Sequence, residues 1–362
     1  MSLLIFIVFF LILLIFFYNK KAVPIFLYHH VNNMSNVSPE LFEEHLKIIK
    51  KLNMKTYKLS EYYDKKIEKN SILLTFDDGY YDNYKYVFPL LKKYNMKATI
   101  FLNSLYISDV RKNEPFLKKD YDANYEAIEN FLKNNNGKTA QYMSWEEIRE
   151  MFESDLIDFQ AHSHKHVAMF TSKKIRGFTK KENMDFTDLY LYGKIEDNYP
   201  LFDKRGEYTG QAIIVKKDFF ELFKKYYNSN LIKISNEKEK LKLAQKFIDE
   251  NEQYFYHETE EEYENRVKEE FKTNKKLIEK NIGNKVQFFC WPWGHRSKKT
   301  IKILKEIGVL GFISTKKGTN NLNPNWDMIR RIELRNYRSK KFKINILVAR
   351  NYILGKIYEW LS

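Results

Sequence analysis

Three of the eight histidines in this 362-residue chain fall within five positions, His162, His164 and His166 in the run H-S-H-K-H. Two imidazoles with one carboxylate can hold a metal ion and leave positions open for water and a substrate. A carboxylate pair stands elsewhere: Asp77 and Asp78 in T-F-D-D-G, directly after the apolar run SILLTF. Consecutive residues of a strand point to opposite sides, so one carboxylate can bind a metal while the other accepts a proton. Taken alone, Asp-Asp-Gly is more simply a turn with solvated acids and Gly79 at positive φ. A histidine run alone is equally compatible with a solvated loop. Together they favour metal-assisted hydrolysis, in which a metal lowers the pKa of its bound water and polarises a carbonyl. The single cysteine, Cys290, excludes both an internal disulfide and a multi-cysteine zinc site. Any metal site must therefore be built from Asp and His, and Cys290 reads as a buried apolar filler.

Such residues need a frame. Apolar runs at AVPIFLY (22–28), SILLTF (71–76), KATIFL (97–102), LIDFQA (156–161) and VQFFCW (286–291) read as buried strands. Helices separate them. Ser38 is the N-cap of one, with Pro39 at its first position, and Ser144 with Glu147 forms a capping box for another. Alternating strands and helices predict an α/β domain with parallel strands. YHH, TFDDG, QAHSHKH and FFCWPWG each close a strand, which is the expected geometry of a barrel-type active site. Residues 167–285 are long and polar, with the densely charged EYENRVKEEFKTNKKLIEK in their second half, and are expected to form a largely helical insertion. Residues 346–362 are expected to form a C-terminal amphipathic helix. Its Leu347, Leu354, Tyr358 and Leu361 pack on the domain, with a membrane-surface placement of Trp360 as the alternative.

The 62 Lys and Arg against 47 Asp and Glu leave a net charge of +15, which invites a nucleic-acid reading. Acidic residues are interspersed and no basic stripe stands out, so no nucleic-acid partner is expected. A hydrophobic content of 44% excludes a disordered chain. Residues 3–18 are apolar and uncharged. As a helix they span roughly 24 Å, against a bilayer core of about 30 Å. No A-x-A cleavage pattern comes after them, so residues 1–19 are expected to be an uncleaved transmembrane anchor. Lys20 and Lys21 favour a cytoplasmic position for the domain C-terminal to the anchor.

T-F-D-D-G at 75–79 and H-S-x-x-H at 162–166 resemble the two signature motifs of the NodB-type polysaccharide deacetylases. VPIFLYHHV, SPELFEEHLKIIKKLNMKTYKLSEYY and LTFDDGYYDNYKYVFPLLKKYNMKATIF are similar to that family almost throughout, most of all to its poly-N-acetylglucosamine deacetylases. The likeness covers roughly 23–170 and 286–335. It implies a distorted (β/α) barrel over 22–345 interrupted by the insertion. It also implies removal of N-acetyl groups from the amino sugars of a cell-surface glycan, releasing acetate, by a domain on the outer face of the membrane. By position, Asp77 would be the general base, and Asp78, His162 and His166 the metal ligands. Zinc is the default metal, with nickel, cobalt or manganese also acceptable to these ligands. The subgroup's general acid, displaced to the first strand, points to His29 in Tyr28-His29-His30, while His164 has no family role.

The third motif departs from the commoner form, which carries Arg where this chain has Cys290 in C-W-P-W-G. That Arg ordinarily orients the catalytic Asp. Arg331 in IRRIEL matches a late Arg-Ile motif and is a candidate for the missing charge. Trp291 and Trp293, on either side of Pro292, form either a wall for a sugar ring or ordinary core. Deacylation of a lipid-linked or small saccharide is the rival activity. A metal-free glycan-binding protein is the rival from another class.

Overall fold

The computed structural model describes residues 5–10, 22–111, 123–334 and 338–361. Residues 5–10 are helical and exposed; the rest of the expected anchor over 1–19 lies outside the described residues. Among the described residues no helix is long and apolar enough to cross a membrane.

An eight-stranded parallel sheet forms the centre. Its main path runs Gly311–Ile313, Phe288–Cys290, Ile157–Ser163, Ala98–Asn103, Ser71–Phe76, Ile25–Tyr28, Ile332–Glu333, with Lys55–Thr56 pairing alongside Ser71–Phe76. One segment joins the two edges. Ile329 bridges Ile313 in parallel, and three residues on, Ile332 and Glu333 pair with Phe26 and Leu27. The sheet thereby curls into a distorted barrel.

The alternation of side chains along each strand separates an outer layer from an inner one. Ile72, Leu74, Phe76, Ala98, Ile100, Leu102, Ile157, Phe159 and Ala161 pack outward against the helices. Leu73, Phe101, Phe288, Cys290 and Ile313 point inward with Ile25 and Ile329. Continuing the inner row past Leu73 and Thr75 reaches Asp77. Two strands away, the row that alternates with the outward Ile157, Phe159 and Ala161 runs through Asp158 and Gln160 to His162. The same period therefore builds an apolar floor and delivers polar groups to the carboxyl ends of the strands.

The surrounding helices obey their local signals. Pro39–Lys51 begins where the Ser38 hydroxyl accepts from Leu41 N at 3.2 Å, and it buries Phe42, Leu46 and Ile49. Each such side chain contributes about 1.5–3 kcal/mol of burial. Trp145–Glu153 carries the expected capping box from Ser144 and Glu147.

The segment 167–285 differs from expectation. Its first part is a four-stranded antiparallel sheet, ordered Phe255–His257, Ile213–Val215, Ala168–Phe178, Pro200–Gly206. Helices Phe186–Tyr192, Lys217–Tyr226 and Glu237–Asp249 accompany it, and Phe170, Phe202, Phe219, Phe220, Phe223 and Phe255 belong to a core of its own. The strand Ala168–Phe178 buries only a few positions among Ser, Lys and Arg, which left no apolar run to read. The last part, helix Glu260–Ile282, belongs to the barrel wall: Tyr263, Val267, Phe271, Ile278 and Ile282 join the barrel's outer core. That helix therefore packs with the barrel rather than with the antiparallel sheet.

The expected helix over 346–362 is likewise two, Ser339–Ala349 and Tyr352–Leu361. Between them the side chain of Asn351 accepts from Leu354 N at 3.0 Å and starts the second helix. Tyr358 packs on the domain, whereas Trp360 and Leu361 are exposed.

Candidate active site

At the carboxyl ends of the strands lies a cavity of about 330 Å³ whose lining includes His29, Asp77, Asp78, His162, His166 and Trp293. The sequence-predicted residues thus converge from the ends of Ile25–Tyr28, Ser71–Phe76 and Ile157–Ser163 and from the loop after Phe288–Cys290.

Asp77 continues the inner row of its strand and is 2% exposed. Arg331, fully buried, grips it from the seam of the barrel: Nη1 donates to Oδ1 at 2.7 Å and Nη2 to Oδ2 at 2.8 Å. Every other guanidinium direction is also used. Nε donates to Ser314 O at 3.0 Å, Nη1 also to Thr75 Oγ1 at 3.2 Å, and Nη2 also to Cys290 Sγ at 3.0 Å. Five donors in a rigid fork fix the carboxylate's plane. Burial pushes the Asp77 pKa up, but the Arg331 charge and bonds, with help from His162, outweigh it and hold the carboxyl below its ordinary range.

Cys290 is therefore more than an apolar filler. Its thiol sits 3.5 Å from Asp77 Oδ2 and against Arg331, because the period of its strand points it inward. Burial keeps that thiol protonated.

Asp78 adopts φ +76°, turning its carboxylate away from the direction of Asp77. Gly79 is next, at φ +82°, where a Cβ would meet Leu102 Cδ2 at 2.7 Å; the turn needs glycine for both reasons. Asp78 Oδ1 lies 3.4 Å from His162 Nε2 and 3.6 Å from His166 Nε2, and it accepts from Asn103 Nδ2 at 2.9 Å. His162 Nδ1 contacts Cys290 O at 2.9 Å. A carbonyl only accepts, so that nitrogen carries the proton and Nε2 of the neutral ring presents its lone pair.

His166 sits at φ +55°, held by its N–H on Ser163 Oγ at 2.5 Å. Its Nδ1 is buried without a hydrogen-bond partner among the described residues. Burial lowers both histidines, His166 to about 4 against the pull of Asp78. Asp78 stays ionised: His166, His162 and the Asn103 amide outweigh its own burial. Two neutral imidazoles facing one carboxylate make up the protonation state a divalent metal requires. Asp77, His162 and Cys290 also lie close enough to share an ion. That grouping fits poorly, since Arg331 occupies both Asp77 oxygens and the thiol keeps its proton.

The adjacent histidines 29 and 30 part company. His30 Nδ1 pairs with Asp82 Oδ2 at 2.7 Å and stacks on Tyr80 at 3.6 Å, while His29 lines the cavity. His164 Nδ1 bonds Ser104 Oγ at 2.9 Å, apart from the Asp78 group. Trp291 is fully buried and stacks on Phe312 at 5.7 Å, so its ring serves chiefly the core behind Pro292. Trp293, at φ +52°, stands beside His166 with ring centroids 4.2 Å apart and walls the cavity.

Sequence reasoning passed over Asn103 and Glu207. Asn103 ends the strand Ala98–Asn103, and the same strand-end rule would have found it. Glu207 had no local signal: it comes after the insertion strand Pro200–Gly206 and meets the histidine loop only in three dimensions. Its Oε1 accepts from Ser163 Oγ at 3.1 Å and Val167 N at 3.4 Å, bracketing His166. Burial, with Glu270 adding, pushes its pKa up to about 8 from 4.5. A carboxyl raised on folding stabilises fully below its unfolded pKa and loses that contribution as pH rises through the folded value. Glu207→Gln keeps the acceptor oxygen and removes the titration. Its Tm is expected to gain on wild type progressively between pH 4.5 and 8, by the equivalent of roughly 2–4 kcal/mol. Parallel Tm–pH curves for the two proteins would contradict this.

Comparison with known proteins agrees with the geometry. The family described as polysaccharide deacetylase matches residues 64–197 and 244–312, more than half of the chain. The putative polysaccharide deacetylase YxkH of Bacillus subtilis is 42% identical over 87 residues, 22% of this chain and 31% of that protein. A poly-beta-1,6-N-acetyl-D-glucosamine N-deacetylase of Staphylococcus aureus is 29% identical over 133 residues, 36% of this chain and 37% of that protein. The matched region thus spans about a third of the length of these curated relatives. Two solved structures share the fold. A de-N-acetylase from Aggregatibacter actinomycetemcomitans has a TM-score of 0.58 at 16% identity, covering 89% of this chain and 99% of that one. IcaB from Ammonifex degensii has a TM-score of 0.52 at 14% identity, covering 91% and 98%. With the family's aspartate pair and histidine pair meeting at the mouth of a parallel barrel, the chain belongs to the polysaccharide deacetylase family.

Proposed function

We propose that the chain is a metal-dependent hydrolase that removes acetyl groups from the N-acetylated amino sugars of a surface polysaccharide. The observation that carries this is the convergence of Asp78 Oδ1 with Nε2 of His162 and His166 beside the Arg331-clamped Asp77. Asp78, His162 and His166 would hold the metal, zinc by default, which supplies Lewis acidity toward the acetamide carbonyl and water. Asp77, ionised and fixed in orientation, accepts the proton of the attacking water. His29, which also lines the cavity, delivers a proton to the departing amine. Trp293 walls the sugar. The products are acetate and a free amine on the glycan.

The poly-N-acetylglucosamine activity named for the Staphylococcus aureus relative supports a glycan polymer over a small saccharide. Placement outside the cytoplasm rests on that substrate class alone.

The test is acetate release from a panel of N-acetylated oligosaccharides. Activity is expected to disappear on dialysis against a chelator and return with zinc, cobalt, nickel or manganese. Chelator-resistant release, or no release from any glycan by metal-replete protein, would defeat the proposal.

A further inference from the structure

A second cavity, of about 640 Å³, adjoins the first and shares Thr315 with it. The divide is thin. Gly294, at φ +70°, lies so close that a Cβ there would fall 1.9 Å from Thr315 Oγ1, and the next residue back, Trp293, walls the first cavity. The two cavities therefore lie side by side across Thr315, near enough for neighbouring units of one glycan to reach both.

The lining of this cavity is strongly one-sided. Arg296, Lys316, Lys317, Arg330 and Lys356 face a single acid, Glu359. That acid is already engaged within the cavity, by Arg330 Nη2 at 2.6 Å and Lys356 Nζ at 2.9 Å. Arg296, Lys316 and Lys317 take part in none of the ion pairs among the described residues. Three uncompensated cations around one concavity raise the local concentration of anions. The helix Tyr352–Leu361 adds Trp360, 84% exposed, on the rim. An indole beside cations offers a stacking face for a sugar and charge for its substituent.

We propose that this cleft is an anion-binding subsite. It binds a phosphate diester or carboxylate carried by the glycan next to the N-acetyl sugar that occupies the Asp77 cavity. The inference rests on the deacetylase reading of the first cavity and narrows its substrate to an acidic glycan. The shared chemistry is an oxyanion, and phosphate and carboxylate are its two sources.

The test uses the full chain and matched N-acetylated oligosaccharides that are neutral, carboxylate-bearing or phosphate-bearing. At low salt, kcat/KM for an anionic member is expected to exceed that for the neutral one by about tenfold or more, with the difference in KM. The preference should shrink at high ionic strength. The double charge reversal Lys316→Glu with Lys317→Glu should abolish the preference. Whichever anion is preferred identifies the source. Equal kcat/KM for neutral and anionic members, or a double reversal that lowers both alike, overturns the subsite. Calorimetric binding of the phosphorylated and carboxylated oligosaccharides, wild type against the double reversal, reads the cleft without turnover. Charge-dependent binding without acetate release would sink the deacetylase reading while supporting the anion site; no charge-dependent binding would sink the subsite whatever the activity.

Discussion

Asp77→Asn is expected to lower kcat for acetate release by about 10²–10⁴-fold, the range for loss of a positioned general base. Metal content should stay at the wild-type level, because Asp78, His162 and His166 are untouched and Arg331 blocks both Asp77 oxygens from an ion in the folded protein. That combination separates a proton-transfer role from a ligand role. A variant that loses its metal together with its activity would move Asp77 into the ligand set. A variant that turns over at the wild-type rate would remove it from the mechanism. The amide also leaves the Arg331 charge without a counter-ion in a buried place, so a drop in Tm accompanies the loss. Activity is therefore read well below the transition.

Arg331→Met carries the second large effect, and here stability and pH dependence move together. Arg331 is fully buried and Asp77 is 2% exposed. Removing one partner of a buried pair costs about 3–5 kcal/mol, because the other charge is left uncompensated. In the wild type the Asp77 pKa is depressed below 3.8. A depressed carboxyl contributes stability that is present above its unfolded pKa and lost as pH falls through the folded value. Without Arg331, burial is the dominant remaining influence and raises the folded pKa. The sign then reverses: the protonated form is favoured, and stability falls as pH rises. The acid limb of the kcat/KM profile should move upward, reflecting a base that is protonated over a wider range. Adding Asp77→Asn to Arg331→Met should recover much of the lost stability, as a neutral pair replaces an orphaned charge. Additive losses in the double variant, or an unmoved acid limb in the single one, would show that the bidentate pair does not set the state of Asp77.

The exchange of roles between positions 290 and 331 has a physical basis. Cys290 and Asp77 both face the barrel interior and meet at 3.5 Å, and a small thiol leaves room for a guanidinium entering from the seam. Arg331 reaches it because the segment 329–333 pairs with both sheet edges. Positive charge therefore arrives at Asp77 from the far end of the sequence. The family resemblance offered Arg331 as a candidate, but only closure of the barrel brings it within 2.7 Å of Asp77.

Several features were legible in the residue order because they depend on neighbours a few positions away. The buried strands, the Ser38 and Ser144 caps and the placement of acids and histidines at strand ends come from period-two alternation and from capping chemistry. The histidine pair and the aspartate pair carried the metal-site reading for the same reason. Other features had no such local basis. Which of His29 and His30 faces the cavity was decided by Asp82 and Tyr80, which capture His30 from 50 residues away or more. The insertion's sheet was hidden because its strands bury few residues each and depend on one another for a core. Helix Glu260–Ile282 looked like a solvated charged segment because its apolar residues are spaced for one face, and only packing against the barrel shows that face to be in use. Residue order offered the groups that could do the chemistry and predicted the parallel strands that carry them. The Arg331 clamp, the Glu207 support for the histidine loop and the basic cleft beyond Thr315 arise only on folding, because each joins residues whose separation along the chain leaves no periodic trace.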